Sequence, residues 1–260
     1  MIDYIKLSSL GVKKVLYLDS TESTNSVAKE HTGDDDMLII AGHQVAGKGR
    51  FNRKWISEKD QGITLTILKS FNIEIPHLIN FYTSYIVQRT LKEFTYNIMG
   101  SDQDVFRLKW PNDIMLGNKK VAGILSEVLN LNGNPKKFII GIGININQDS
   151  FPEELTEKAV SLKLYYRREF RVYDIIYSLV NHFYQNLPLI GQSDILMELW
   201  RLNSDVTGKH VKFRQNSDNT ELNGKVLGIQ NDGGIKIELS DNINSKNIST
   251  FYTGEISFIY

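Results

Sequence analysis

The sequence predicts an α+β fold in two parts, a larger domain with a mixed sheet over residues 1–202 and a small all-β barrel over residues 203–260. Two observations carry this prediction. Before Asn203, apolar runs suited to buried strands alternate with segments of helical spacing, without the strict strand–helix repeat of a parallel sheet. After Leu202, glycine, asparagine and aspartate residues separate short β-rich runs. A chain of 260 residues is long enough for both parts.

The larger domain has five apolar runs that are predicted to be strands and three segments that are predicted to be helices. The strands are expected at Met37–Ala41, 62–68, 105–110, 121–128 and 137–145. The helices are expected near Thr24–Glu30, after Pro76 and over 173–186, the first with caps at Asp19, Ser20 and Thr21. Gly117 and Asn118 suggest a turn, so the runs at 105–110 and 121–128 are predicted to form a hairpin.

The barrel strands are expected where short β-rich runs lie between turn residues, at His210–Arg214, 225–229, Ile235–Leu239 and 256–259. The turn residues include Gly208, Gly224, Gly228 and Gly233. Short strands at this regular spacing are typical of a small closed sheet, and they place the boundary between the two parts near Asn203.

Charge and cysteine content exclude several classes of protein. The 30 basic and 30 acidic residues cancel, so bulk attraction to nucleic acid or to an anionic membrane is not expected. The chain has no cysteine, which excludes disulfides, thiolate metal sites and a cysteine nucleophile. No apolar stretch approaches the length of a membrane span, and the first residues lack the pattern of a secretory signal. A cytoplasmic protein with no membrane contact is expected.

A loop rich in glycine and basic residues follows the first predicted strand. Gly47 and Gly49 allow backbone amides to approach an anion, and Lys48, Arg50 and Arg53 supply positive charge beside Trp55. The spacing of Gly42, Gly47 and Lys48 almost matches a phosphate-binding loop of nucleotide hydrolases, but Gly49 stands where a serine or threonine is required. Taken alone, this loop is compatible with a ligand site and with a solvated basic loop whose tryptophan packs into the core.

A second group of polar residues lies on the predicted strands at 105–110 and 121–128. Because side chains alternate along a strand, Arg107 and Lys109 point to the same face. Asn112 and Asp113 follow Pro111 at a bend, and Lys120 opens a strand in which Gly123 leaves room for a ligand. An anion site and an ordinary charged hairpin both remain open for these lysines.

Taken together, these motifs resemble those of the biotin protein ligase family over nearly the whole chain. The motifs are Ser23-Thr24-Asn25, Gln44, Gly-Lys-Gly-Arg-Phe-Asn-Arg-Lys-Trp at 47–55, Lys-Trp-Pro-Asn-Asp at 109–113, Lys-Val-Ala-Gly-Ile-Leu at 120–125 and Gly-Ile-Gly-Ile-Asn at 141–145, with Trp-Arg-Leu-Asn at 200–203 and Gly-Glu-Ile-Ser at 254–257 in the tail. The resemblance implies a mixed-sheet catalytic domain followed by an SH3-like β-barrel. One departure is Lys48, because family members more often have arginine there.

The resemblance implies a role for each matching residue. Ser23, Thr24, Asn25, Gln44, Gly47, Gly49, Gly123 and Leu125 are expected to bind biotin, together with Arg50 and Lys120. Lys48, Arg50, Arg53, Asn112 and Lys120 are expected to face the ATP phosphates, and Trp55 and Asn145 to receive adenine. The catalytic residues implied are Lys120, Arg50, Lys109 and Asp113, the last near the amine of the acceptor lysine.

The implied reaction is the ATP-dependent activation of biotin, with Mg²⁺ as the metal, and its transfer to a lysine of a biotin carboxyl carrier domain. The metal ligands are not implied. The Ser-Thr-Asn motif begins only about twenty residues into the chain, too few for a helix-turn-helix domain, so no binding to DNA is expected. Both a monomer and a homodimer are compatible with the sequence. The rival predictions are a lipoate or octanoate ligase and a non-catalytic nucleic-acid-binding protein.

Overall fold

The computed structural model describes residues 3–31, 33, 36–96, 98, 105–130, 132–133, 135–215, 221–240 and 247–259. The first part contains seven strands: β1 Lys14–Leu18, β2 Met37–Ala41, β3 Gly62–Phe71, β4 Phe106–Lys109, β5 Asp113–Leu116, β6 Lys119–Val128 and β7 Lys136–Asn145. Its helices are α1 Tyr4–Ser9, α2 Thr24–Glu30, α3 Leu78–Thr95, α4 Leu162–Tyr166, α5 Val172–Gln185 and α6 Ser193–Leu202.

The seven strands form one mixed sheet in the order β1-β2-β3-β7-β6-β5-β4. Strands β1 and β2 are parallel, whereas the other neighbours are antiparallel, so the predicted α+β class with a mixed sheet is confirmed. The five predicted strands and three predicted helices are all present, and β2 and α2 have the predicted bounds. The apolar runs form strands here because both faces of the sheet centre are covered.

The two faces of the sheet have different neighbours. Ile140, Ile142 and Ile144 of β7 point into the main core, which also contains buried residues of α3, α5 and α6. Gly141, Gly143 and Asn145 alternate with them and therefore point to the opposite face, the side on which α2 packs. This alternation of isoleucine and glycine leaves an open floor on the α2 side, and the candidate site lies on that floor.

Two local predictions were wrong. Strands β4 and β6 do not pair with each other, because the four-residue strand β5 lies between them and the turn at Gly117 joins β5 to β6. The bend at Pro111, which follows a cis peptide bond, reverses the chain between β4 and β5. Helix α2 begins after Ser23, so the residues at 19–21 are not its caps, whereas α3 begins at Leu78, after Pro76 as predicted. Short elements of four or five residues carry too little periodicity to be predicted.

The second part is a five-stranded antiparallel sheet. Its strands are β8 His210–Arg214, β9 Glu221–Ile229, β10 Ile235–Leu239, β11 Asn247–Phe251 and β12 Glu255–Phe258, in the order β11-β10-β9-β8-β12. Four of these were predicted and β11 was not. Closure of this sheet into a barrel and the domain boundary at 202/203 stay predictions.

Among the hydrogen bonds that tie the second sheet and its connecting segment to the first part, two lie at the turn that follows β4. The amide of Leu108 in β4 donates to the carbonyl of Asn203 at 2.8 Å. The indole Nε1 of Trp110, which is 1% exposed, donates to the carbonyl of Gly233 at 3.0 Å. A buried tryptophan with its N–H satisfied is a strong anchor, so the second sheet is held close to the Lys109–Asp113 turn. None of the described helices is long and apolar enough to cross a membrane.

Candidate functional site

A cavity of about 670 Å³ opens on the α2 side of the seven-stranded sheet. Its wall includes every predicted site residue except Gly47, namely Ser23, Thr24, Asn25, Gln44, Lys48, Gly49, Arg50, Arg53, Trp55, Lys109, Asn112, Asp113, Lys120, Gly123, Leu125 and Asn145. These residues come from α2, the basic loop and four different strands. The fold therefore brings together in one cleft motifs that are far apart in the sequence.

The Trp55 ring lies on the glycines of the sheet and divides the cavity. Gly123 of β6 and Gly143 of β7 are directly paired, and a Cβ atom added at Gly143 would lie 2.4 Å from Trp55 Cε2. Along β7, Gly141 lies on one side of this ring and Asn145 on the other, each about 7 Å from Gly143 because a strand rises about 3.4 Å per residue. Trp55 is therefore a partition between a chamber next to α2 and a chamber next to Asn145.

The chamber next to α2 is lined by buried polar groups. The backbone amide of Thr24 donates to Oε1 of Gln44 at 2.7 Å, and the Asn25 Nδ2 group donates to the carbonyl of Leu125 at 3.3 Å. Ser23, Thr24, Asn25 and Gln44 are all less than 9% exposed. Gly141 makes room for this cluster, because a Cβ atom there would lie 2.3 Å from Asn25 Oδ1. A compact head group with hydrogen-bonding atoms fits such a corner.

Lys120 reaches the cavity through an irregularity in β6. The pairing of β5 with β6 shifts between Ile114 and Met115, so that Val121 is an extra residue. In a regular strand, Lys120 and Gly123 would point to opposite faces, but the bulge turns both toward the cavity, where a Gly123 Cβ would lie 2.8 Å from Lys120 Nζ. The Lys120 ammonium is ion-paired with Asp113. The bulge and the missing side chain at position 123 together aim this lysine at the floor of the cleft.

Three further cations surround Lys120. Arg50 donates from NH1 to Asn112 Oδ1 at 3.3 Å, and burial lowers the pKa of its guanidinium, while Asp113 acts in the opposite direction. Arg53 makes two hydrogen bonds of 2.5 Å to the carboxylate of Glu255, which raise the pKa of Arg53. Cations collected in this way are suited to the phosphates and the carboxylate of two anionic substrates.

Burial also acts on a second lysine of the cleft, Lys109. Desolvation lowers the pKa of its ammonium, and Lys120 and Arg53 act in the same direction, although Asp113 and Glu255 oppose them. Its Nζ atom lies 5.6 Å from the centre of the Phe258 ring. A partly desolvated lysine is a stronger partner for an anion than one in water.

The basic loop forms a short hairpin over the cleft. The amide of Gly49 donates to the carbonyl of Arg53 at 2.7 Å, and the amide of Trp55 donates to the carbonyl of Gly47 at 2.8 Å. Gly47 lies outside the cavity wall, and a Cβ atom there would lie 2.4 Å from the Trp55 carbonyl oxygen. Gly47 thus permits the close approach that holds Trp55 in place. A three-residue 3-10 helix, Arg50–Asn52, lies within this hairpin, and no longer helix follows before β3, whereas a phosphate-binding loop of nucleotide hydrolases opens a helix.

Lys48, the residue that departs from the family motif, is exposed and donates to the Ser26 hydroxyl of α2 at 3.2 Å. Its side chain lies at the rim of the cleft rather than at the floor. An arginine would offer a planar fork at this rim, whereas lysine offers a single charge.

Several wall residues were missed by the sequence analysis. They include Lys158, which follows β7 in the chain, and Lys212, Arg214, Glu221, Glu255 and Ser257 from the second sheet. The tail motif that contains Glu255 was noted, but nothing in the sequence indicated that it faces the cleft. Within the described ranges, no group of three or more histidine, aspartate or glutamate side chains is arranged to hold a metal ion.

Comparison with known proteins gives a consistent set of similarities. Residues 17–145 match the model of the biotin/lipoate A/B protein ligase family. The bifunctional ligase/repressor BirA of Bacillus spizizenii is 30% identical over 250 residues, which cover 92% of this chain and 73% of that protein. A biotin–acetyl-CoA-carboxylase ligase of Mycobacterium tuberculosis is 29% identical over 157 residues, covering 58% of this chain and 56% of that protein.

Solved structures show the same similarity. The biotin protein ligase of Aquifex aeolicus, determined in complex with biotin and ATP, superposes with a TM-score of 0.76 and 25% sequence identity. The superposition covers 95% of this chain and 99% of that one, so it includes both sheets.

Proposed function

This chain belongs to the biotin protein ligase family, and we propose that it activates biotin with ATP and transfers it to a lysine of a biotin carboxyl carrier domain. The observation that carries the proposal is the divided cleft. A polar chamber next to α2 and a chamber next to Asn145 meet at Trp55, beside Lys120, Arg50 and Lys109. Two anionic substrates are brought together at such a junction.

In the first half-reaction, a carboxylate oxygen of biotin attacks the α-phosphorus of ATP, and the bond to pyrophosphate breaks. Both reactants are negatively charged, so the barrier falls when cations offset their repulsion and hold them in line. Lys120 is proposed to contact the biotin carboxylate and the α-phosphate. Arg50 lies beside Asn112 and is proposed to act on both substrates, while Arg53 and Lys109 serve the phosphates.

Arg53 must exchange partners to bind a phosphate. Its guanidinium is held by Glu255, and a triphosphate with its larger charge would compete for the same two N–H groups. Lys120 faces the same exchange with Asp113. These pairs hold the exposed Arg53 and the partly exposed Lys120 in defined orientations until a substrate competes for them.

In the second half-reaction, the amine of the carrier lysine attacks the acyl carbon of biotinyl-AMP, and AMP leaves as the C–O bond breaks. That amine must lose a proton, and Asp113 is proposed to receive it. The contact between Asp113 and Lys120 supports this role, because a carboxylate beside the proposed contact of the biotin carboxylate would lie near the acyl carbon that the amine attacks.

Mg²⁺ prefers oxygen ligands and usually binds through substrate phosphates with one or two carboxylates. Among the described residues, no three acidic or histidine side chains are arranged to coordinate a metal ion. The metal is therefore proposed to bind together with ATP. Asp113 and Glu255 are the cavity carboxylates closest to the proposed phosphate cations. When bound, the metal would shield the phosphate charge.

The proposal is tested by ATP–pyrophosphate exchange that depends on an acid substrate, with biotin, lipoate and octanoate compared. Exchange with biotin alone is expected. Exchange with lipoate or octanoate instead would keep the fold but assign the protein to the other branch of the biotin/lipoate ligase family.

The proposal also covers the partner and the location. The Mycobacterium tuberculosis relative is named for ligation to acetyl-CoA carboxylase, so the acceptor is proposed to be the carrier domain of such an enzyme, in the cytoplasm. The absence of DNA binding is a prediction that salt-dependent retention on nucleic acid would contradict. Light scattering would decide between the monomer and the homodimer.

A further inference from the structure

Four oxygen atoms form a continuous chain beneath the corner of the cavity next to α2. Gln44 Oε1 lies 3.0 Å from Thr24 Oγ1, which lies 2.8 Å from Thr66 Oγ1, which in turn lies 2.7 Å from Asn25 Oδ1. Thr24, Asn25 and Gln44 line the cavity, whereas Thr66 on β3 is 0% exposed and lies behind them. This row of oxygens therefore joins three residues that line the cavity through one that does not.

The protons of this chain can be counted. Three oxygen–oxygen contacts of hydrogen-bonding length require three protons, but the two amide oxygens have none and each threonine hydroxyl has one. One contact therefore lacks a proton. The position of the gap depends on where the Thr24 hydroxyl donates and, before that, on the direction in which the Thr66 hydroxyl donates.

The neighbours of Asn25 determine that direction. Its Nδ2 group faces the Leu125 carbonyl at 3.3 Å and Glu127 Oε1 at 3.4 Å, and Glu127 is ion-paired with Lys29. Both groups only accept hydrogen bonds, so the amide nitrogen must face them and Oδ1 must face Thr66. The Thr66 hydroxyl then donates to Asn25 Oδ1, because a buried acceptor without a donor is unfavourable.

With the Thr66 proton used on Asn25, the Thr24 hydroxyl has two acceptors within reach, Thr66 Oγ1 at 2.8 Å and Gln44 Oε1 at 3.0 Å. Gln44 Oε1 is already satisfied by the Thr24 amide, so we assign the Thr24 proton to the shorter contact with Thr66, where it points away from the cavity. The gap falls between Thr24 Oγ1 and Gln44 Oε1, the two oxygens at the cavity wall. Gln44 Oε1 already accepts the Thr24 amide at 2.7 Å, which holds it in this orientation. The corner is therefore built from acceptor lone pairs, and a donor from the substrate completes it.

We propose that Thr66, acting with Asn25, is a positioning residue that makes this corner accept an N–H group and so selects a cyclic urea head group. The inference rests on the proposed function, since biotin ends in such a ring. A dithiolane or a hydrocarbon chain offers no donor, so it leaves the two oxygens facing each other without a proton. The buried Thr66 thereby determines which acid is activated.

The test uses Thr66→Val, which keeps the branched shape but removes the hydroxyl. In this variant, the Thr24 hydroxyl is free to donate to Gln44, and the corner loses the acceptor that the urea needs. We expect the Kd of biotin, measured by calorimetry, to rise about fivefold to tenfold, the effect of one neutral hydrogen bond. Thr66→Ser restores the hydroxyl and should bind biotin within about twofold of wild type.

The matched control is Thr64→Val. Thr64 lies on the same strand and face, is 3% exposed, and donates to the Ala41 carbonyl at 2.8 Å outside the chain of oxygens. Melting temperatures of all variants report on folding. A Thr66→Val protein with the same biotin affinity as Thr64→Val would overturn the proposal.

A second arm separates positioning from simple structural support. Two carbamate analogues of biotin, each with one ring N–H replaced by oxygen, are compared with biotin itself. The wild-type protein should discriminate against one of them by about tenfold, and Thr66→Val should lose most of that discrimination. If Thr66→Val weakened the urea and both carbamates equally, the proposal would fail although the proposed function stands. Wild-type protein that bound none of these ligands would overturn both.

Discussion

The partition of the cleft by Trp55 makes a quantitative prediction for Gly143→Ala. The new Cβ atom would lie 2.4 Å from Trp55 Cε2 and 2.6 Å from Cζ2, whereas ordinary contact begins at 3.4 Å. The indole must therefore move off the sheet by about 1 Å, and a displacement of that size reduces rates by up to about 100-fold in positioned sites. Stacking of a base on an aromatic ring contributes about 1–3 kcal/mol, so a rise of about 5- to 150-fold in the KM for ATP is expected.

Biotin-dependent ATP–pyrophosphate exchange measures this effect, with the KM values for ATP and biotin determined separately. The KM for biotin should change less, because the chamber next to α2 lies at Gly141. The control is Gly191→Ala, where a Cβ atom meets nothing within 4 Å, so it reports the general effect of replacing a glycine. An unchanged KM for ATP in Gly143→Ala would refute the assignment of Trp55 as the adenine platform.

Three more predictions concern the charged groups. Lys120→Ala should reduce the rate of adenylation by about 100- to 1000-fold with an unchanged melting temperature. The control is Lys119→Ala, because Lys119 is the next residue but donates to the Thr156 carbonyl, and it should change the rate little. Equal adenylation rates in the two variants would remove Lys120 from the mechanism. Asp113→Asn should slow transfer from purified biotinyl-AMP by about 100-fold and change its pH profile, and an unchanged rate and profile would rule out proton acceptance. Lys109→Met should melt at a higher temperature than wild type at neutral pH. Burial lowers the pKa of Lys109, so as pH rises the folded wild-type protein binds fewer protons than the unfolded one, and its stability increases. The difference in melting temperature between Lys109→Met and wild type should therefore shrink at high pH. A constant difference from pH 7 to 10 would contradict that interpretation.

The sequence predicted those elements whose apolar residues form a continuous run or a clear helical pattern. Strand β2 is apolar throughout and buried on both faces, and it was found with the predicted bounds. Strand β5 was missed because four residues do not establish an alternation, and the wrong pairing of β4 with β6 followed from this omission. The error did not affect the site, since Lys109, Asp113 and Lys120 meet whether or not β5 lies between the two strands.

The sequence motifs located most of the cavity wall but not the reasons for its shape. The residue types of the basic loop and of β6 indicate anion binding, whereas the bulge that turns Lys120 toward Gly123 depends on a register that only the paired strands reveal. Thr66 lies in an apolar run and becomes significant only when β3 and α2 are seen together. Glu255 belongs to the second sheet, and its contact with Arg53 spans 202 residues, a distance over which no local pattern carries information.

The most direct test of the account is mass spectrometry of a carrier domain incubated with this protein, biotin and MgATP. The account predicts the addition of one biotinyl group to a single lysine with wild-type protein and no addition with Lys120→Ala. Wild-type protein that is folded and binds biotin, yet leaves the carrier domain unmodified while AMP fails to form, would contradict the assignment of this cleft as a biotin-activating site.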